Sequence, residues 1–134
     1  MAHRILARLL ANRAREDPED RAEALRLARR AVELAPDNPE SASVLGVALY
    51  RTGAWQEAIQ ALEKSMRRGQ GRDPVAGLVL AMAHHRLGQS ADARKWYDGS
   101  VRVLERRSSV TDEQKRLRAE AEALLGIPSK GKDG

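Results

Sequence analysis

Apolar residues recur every three or four positions along most of the chain, which is the spacing of amphipathic helices and not of strands. Alanine, leucine, arginine and glutamate are frequent, whereas β-branched and aromatic residues are scarce, and this usage also favours helix. The pattern predicts an all-α fold with helices near residues 3–15, 18–35, 39–52, 55–68, 74–87, 90–107 and 111–126.

Residues with special backbone preferences stand at the ends of these predicted helices. Gly53 and Gly88 each follow an apolar segment, where a helix C-terminus favours a residue at positive φ. Residues 111–114 read Thr-Asp-Glu-Gln, a capping box that opens the last helix. Three further starts are marked by a capping residue followed by proline: Asp17-Pro18, Asn38-Pro39 and Asp73-Pro74.

The chain repeats itself with an offset of 35 residues. Residues 45–53 (Leu-Gly-Val-Ala-Leu-Tyr-Arg-Thr-Gly) align with residues 80–88 (Leu-Ala-Met-Ala-His-His-Arg-Leu-Gly). The match continues downstream, where Ala58 pairs with Ala93 and Ser65 with Ser100. Because one antiparallel helix pair cannot bury both of its apolar faces, such units are stable only when several stack.

The repeated unit resembles the tetratricopeptide repeat, and the whole stretch resembles bacterial segments of that family in multidomain proteins. The second repeat carries the resemblance in Leu45-Gly46, Tyr50, Gly53, Trp55 and Ala58-Ile59. The third carries it in Leu80-Ala81, Gly88, Ala93 and Tyr97, and the first in Ala24 and in Ala31 to Pro36.

The resemblance implies a right-handed superhelical α-solenoid of three helix pairs and a C-terminal capping helix. It predicts one domain over 1–126, with repeats at about 4–36, 39–72 and 74–107 and the capping helix at 111–126. Residues 127–134 are small and polar and are predicted to be a disordered tail.

The third repeat departs from the family pattern at several positions. Gly77 stands where a bulky residue is expected, Ser90 where an aromatic is expected, and Gly99 falls inside a helix. Ala42 replaces the bulky residue in repeat two, and the closing proline is missing from repeats two and three. These departures predict either looser packing of the third repeat or a partner or parent domain that fills the space.

Composition and motifs exclude several function classes. The 134 residues include no cysteine, which excludes disulfides, thiolate metal sites and cysteine nucleophiles. His84 and His85 have no second ligand at helical spacing, so no metal site or cofactor is predicted, and His84 is read as a core histidine with one hydrogen bond. No phosphate-binding loop or nucleophile elbow is present either, and the chain is predicted not to be an enzyme.

The family's binding surface is a concave groove lined by the first helix of each repeat. The resemblance therefore predicts a protein-interaction module, an adaptor or scaffold, that binds a peptide segment of a partner. The net charge of +5 and the groove arginines favour an acidic segment. The groove positions implied are Arg8, Asn12, Arg15, Ser43, Val47, Tyr50, Arg51, Leu78, Met82, His85 and Arg86.

Two other functions stay open at this point. The paired stripes Ile5/Leu9 and Leu6/Leu10 on the first predicted helix expose more apolar surface than one neighbouring helix covers, which predicts self-association or docking within a larger assembly. A basic nucleic-acid-binding module is the less favoured reading, because the sequence has no aromatic stacking motif. No membrane span or export signal is found, and a cytoplasmic location is expected.

Overall fold

The computed structural model describes residues 18–69 and 73–128, and within them the chain forms six helices and no strand. The helices are α1 (Pro18–Leu34), α2 (Pro39–Arg51), α3 (Trp55–Arg68), α4 (Pro74–Arg86), α5 (Ser90–Glu105) and α6 (Asp112–Leu125). The prediction of an all-α fold is confirmed. The first predicted helix, at 3–15, lies outside the described residues.

The predicted capping residues set the helix starts. The side chain of Asn38 accepts a hydrogen bond from the backbone N–H of Glu40 at 2.8 Å, and α2 begins at the next residue, Pro39. Asp73 caps α4 in the same way, and Thr111 and Gln114 form the reciprocal capping box of α6. Each described helix therefore begins and ends within two residues of its predicted bounds.

The helices stack as consecutive antiparallel pairs. Helix α2 packs against α3, and α4 packs against α5. Helix α1 packs on α2, and both α2 and α3 pack on α4. The α2–α3 pair is also joined by a hydrogen bond of 2.8 Å, which the Ser65 hydroxyl donates to the Pro39 carbonyl. This arrangement is an α-solenoid, as the repeat predicted.

Glycines allow the paired helices to approach each other closely. The backbone of Gly46 on α2 lies directly against the Leu62 side chain on α3. Gly77 on α4 lies in the same way against Ser100 on α5, whose hydroxyl donates a 2.8 Å hydrogen bond to the Trp96 carbonyl. Gly77 is therefore a close-approach residue, and the missing bulky side chain does not loosen the third repeat.

Helix α4 forms the centre of the fold. Helices α2, α3, α5 and α6 all pack against it, and ten of its thirteen residues are buried. A helix that is apolar on every side is stable only when it is covered on every side. The expected looseness of the third repeat is thus not observed.

The C-terminal helix packs chiefly on α4 and less extensively on α5. It continues into a left-handed residue at Gly126, and the backbone N–H of Ile127 then donates to the Glu122 carbonyl at 2.8 Å. Ile127 packs half-buried against the hydrophobic core. The folded region therefore includes Ile127, which was predicted to begin the disordered tail; residues 129–134 lie outside the described residues.

Candidate functional site

The predicted groove positions fall on α2 and α4, the first helices of the two described helix pairs. Four of them lie on α2 and four on α4: Ser43, Val47, Tyr50 and Arg51, then Leu78, Met82, His85 and Arg86. Arg8, Asn12 and Arg15, the first-repeat positions, lie outside the described residues, as do the apolar stripes of the first predicted helix. The site is therefore described on its α2 and α4 portions.

Most of these groove positions are covered. Leu78 and Met82 are fully buried, and Ser43, Val47 and Tyr50 are also buried. Leu117 and Ala121 on α6 belong to the same hydrophobic core cluster as Leu78 and Met82. Helix α6 packs on α4, and the buried apolar groove positions Leu78 and Met82 form a wall within the core instead of an open binding surface.

A partly buried ion pair ties α6 to α2. The two terminal nitrogens of Arg51 donate to the two carboxylate oxygens of Glu120, one of them at 2.8 Å, in a two-point pair. The Arg51 side chain is only 9% exposed and the Glu120 side chain 23%. The guanidinium also lies 5.5 Å from the centre of the Tyr50 ring. Arg51, a predicted groove cation, already holds a carboxylate that comes from the chain itself.

A second polar contact ties α6 to α5. The Tyr97 hydroxyl donates to Glu122 Oε2 at 2.6 Å, and Arg118 Nε donates to the same oxygen at 3.0 Å. Glu122 is buried. Burial, together with the hydrogen bond to Glu122 and the negative charge of that carboxylate, raises the pKa of Tyr97 from 10.0 to about 12.

We expect the Tyr97 contribution to stability to be lost at high pH. Because the folded pKa is the higher one, this stability is fully present below about pH 10 and disappears as the pH rises through 12. The ionisation of Tyr97 is followed by absorbance at 295 nm, as the difference between the pH titration curves of the wild type and Tyr97→Phe. Glu122→Gln should move that difference curve to lower pH, and a midpoint already at pH 10 in the wild type would contradict the assignment.

Among the groove positions that the structure describes, Arg86 is the exposed cation. Its Nε donates to the Tyr50 hydroxyl at 3.3 Å, and its guanidinium lies 5.9 Å from the Tyr50 ring centre and 5.8 Å from the Trp55 ring centre. His85 beside it is partly exposed. No acidic side chain in the described part of the chain forms an ion pair with Arg86. We call Arg86, Tyr50, Trp55 and His85 the Arg86 edge.

The histidine at the end of α4 is a core residue. His84 is buried, and its Nδ1 lies 2.6 Å from the Gln89 side-chain oxygen, the single hydrogen bond that was predicted. No group of three His, Asp or Glu side chains able to hold a metal ion occurs among the described residues. The same residues contain no helix long and apolar enough to cross a bilayer.

The sequence interpretation missed the contacts of α6. No contact was predicted for Glu120 or Glu122, yet each is the partner of a side chain on another helix. One sequence signal for these contacts was available. The sequence of α4 is apolar on every side, so a helix other than its repeat neighbours had to cover part of it. No sequence pattern indicated which helix covers it.

Comparison with known proteins agrees with the repeat. A family model described as tetratricopeptide repeat matches residues 17–79, which span α1, α2, α3 and the first part of α4. No curated protein matches the chain. The matched region contains the Leu45-Gly46 pair, the turn at Gly53 and the aromatic and alanine positions after it. Residues 17–79 of the chain therefore belong to the tetratricopeptide repeat family.

Proposed function

We propose that this chain is an interaction module that binds an acidic segment of a partner protein at the Arg86 edge. Tetratricopeptide repeats generally mediate protein–protein interaction or scaffolding, and the family is a non-catalytic repeat module. The proposal adds the chemistry of the ligand and the place where it binds. We propose no catalytic role, and we propose the cytoplasm as its location.

The observation that carries the proposal is the two-point pair between Arg51 and Glu120. This face already holds a helix whose apolar residues rest on α4 and whose carboxylate is bound by an arginine. An arginine that binds a carboxylate through two parallel hydrogen bonds selects for that group by geometry as well as by charge. Helix α6 therefore exemplifies the kind of segment this face accepts.

Arg86 offers the same chemistry to a ligand from outside the chain. Its Nε is directed to Tyr50, and the two nearby aromatic rings hold the guanidinium in place, which reduces the entropy that it loses on binding. The half-buried indole of Trp55 provides apolar contact beside it. An Asp or Glu side chain next to an apolar residue fits this arrangement.

Differential peptide selection tests this proposal. Peptides of twelve residues are selected on the immobilised full chain and then counter-selected against Arg86→Glu. The peptides that the variant fails to bind should be enriched in Asp and Glu, and individual members should bind the variant about tenfold more weakly, because one charge-assisted contact becomes a repulsion.

The control for this selection is Arg67→Glu, which makes the same charge change at an exposed position on α3. Both variants should keep the helical content and thermal midpoint of the wild type. The proposal is wrong if no peptides are lost specifically with Arg86→Glu, or if those that are lost carry no excess of acidic residues.

A further inference from the structure

A second concave surface, none of whose lining residues belongs to the Arg86 edge, lies at the first turns of α6. Helix α6 packs chiefly on α4, so its first turns and the end of α5 leave a cavity of about 350 Å³ between them. This volume is at the lower limit of ligand pockets and suits one or two side chains better than a large cofactor. We call this cavity the α5–α6 cleft.

The cleft combines an apolar floor with a cationic rim. Leu104 at the end of α5 and Val110 in the connecting segment supply the apolar lining. Lys115 and Arg118 on α6 and Arg107 after α5 supply the basic side chains. Lys115 is exposed, whereas Arg118 is 22% exposed and is oriented by its bond to Glu122. An apolar side chain flanked by carboxylates complements this lining.

The positive charge of the protein is concentrated around the cleft. Residues 102–118 contain six basic and three acidic residues, a net charge of +3 out of +5 for all 134 residues. Arg106, Arg107, Lys115 and Arg116 are all exposed there. Such a concentration attracts anionic segments and accelerates their association.

An acidic peptide fits the cleft better than a nucleic acid does. A phosphate backbone needs a continuous cationic track, and base recognition in single strands uses aromatic stacking. The carboxylate of Glu105, which lies 3.8 Å from Arg118 Nη2, interrupts the basic lining of the cleft, and residues 102–118 contain no aromatic side chain. Its floor is a single apolar depression, which suits an anchoring side chain.

We propose that the α5–α6 cleft binds an acidic peptide segment that inserts one apolar side chain between Leu104 and Val110. Lys115 and Arg107 contact the flanking carboxylates. This site is separate from the Arg86 edge, so the module can hold two acidic segments at once. Two linked sites would raise the affinity for a partner that carries both segments, without either contact being strong.

The test uses the full chain and a fluorescein-labelled peptide of sequence Glu-Asp-Glu-Leu-Glu-Asp, with binding measured by fluorescence anisotropy. A matched peptide carries serine in place of leucine, and a six-nucleotide oligothymidylate represents nucleic acid. The leucine peptide should bind at least about fivefold more tightly than the serine peptide, because only leucine fills the apolar floor.

Two charge-reversal variants locate the binding. Lys115→Glu should weaken binding of the leucine peptide roughly three- to tenfold, because a rim attraction becomes a repulsion. Lys95→Glu reverses an exposed lysine on α5 that does not line the cleft and should leave binding unchanged. When the leucine peptide is titrated into the isotope-labelled chain, the amide chemical shifts of Leu104, Val110 and Gln114 should change. Arg86→Glu should not alter these shifts, which separates this site from the proposed function.

Several outcomes would overturn the cleft proposal. Equal binding of the leucine and serine peptides, or equal losses in Lys115→Glu and Lys95→Glu, would mean that the surface attracts anions without a site. Tighter binding of the oligothymidylate than of the leucine peptide would assign the cleft to nucleic acid. Absence of measurable peptide binding, or shift changes confined to the Arg86 edge, would equally exclude it.

Discussion

Gly46→Ala should lower the free energy of unfolding by about 1–3 kcal/mol, the usual cost of overfilling a packed core. A Cβ at Gly46 would overlap the branched end of Leu62, with Leu62 Cδ1 at 3.2 Å and its other branch atoms nearer still. Leu62 is fully buried on α3, so it has no open space into which to move. The helices α2 and α3 must then separate, and urea unfolding followed by circular dichroism measures the loss.

Gly99→Ala is the matched control, because the same chemical change should have the opposite sign. The nearest atom to a Cβ at Gly99 is Arg102 Nη2, at 3.8 Å, which is ordinary contact. Alanine in a helix interior is about 0.5–1 kcal/mol more favourable than glycine, so this variant should be stabilised. If both variants shift stability in the same direction, close approach is not the role of Gly46.

Gly77→Ala should fall between these two variants. Its Cβ would overlap Ser100 Oγ and lie 3.3 Å from Ser100 Cβ. The hydroxyl can rotate away from the new methyl group, but it then gives up its hydrogen bond to the Trp96 carbonyl. The cost is therefore that of one hydrogen bond and a small adjustment, about 1 kcal/mol.

The sequence specified the helices and their order because the signals for both are local. Asn38, Asp73 and Thr111 cap the helices that they were predicted to cap, since a side chain three residues from a free N–H needs no tertiary information. The 35-residue offset also aligned Gly46 with Ala81 as small positions of the repeat, and in the structure the backbone of Gly46 lies against Leu62.

The position of α6 could not be predicted in the same way. Its stripe of Leu117, Ala121 and Leu124 shows that one face is buried, but a stripe does not identify the helix against which it packs. That choice depends on Arg51, on Tyr97 and on the apolar surface of α4, which are distant in sequence. Groove residues assigned from the repeat alone were therefore treated as open, although several of them are buried and Arg51 is bound by Glu120 of α6.

Removing Glu120 tests whether this covering depends on its ion pair. Glu120→Ala leaves Arg51, whose side chain is 9% exposed in the intact pair, without its two-point partner, and an uncompensated buried charge typically costs about 3–5 kcal/mol. The Glu120 side chain is 23% exposed, so water partly screens this pair and the cost falls below that range. We therefore expect a loss of about 2–3 kcal/mol in the free energy of unfolding. Hydrogen exchange should show the amides of α6 losing protection before those of α3.

An exposed ion pair and a charge-free replacement provide the controls for Glu120→Ala. Glu57→Ala removes the partner of Arg29 in a pair whose atoms are 3.8 Å apart and whose side chains are more than half exposed, so it should cost less than about 1 kcal/mol. The double variant Arg51→Met with Glu120→Leu removes both charges and should recover most of the loss.

The hydrogen-exchange result also bears on function, because loosening α6 uncovers the wall formed by Leu78 and Met82. In Glu120→Ala, acidic peptides selected at the Arg86 edge should gain affinity, since α6 no longer competes for the same face. In the double variant α6 is held by apolar packing alone, and Arg51 is no longer available to bind a carboxylate. Peptide affinity there should remain at or below the wild-type value. If Glu120→Ala costs no more than Glu57→Ala and leaves α6 fully protected, the apolar contacts with α4 alone hold the helix in place.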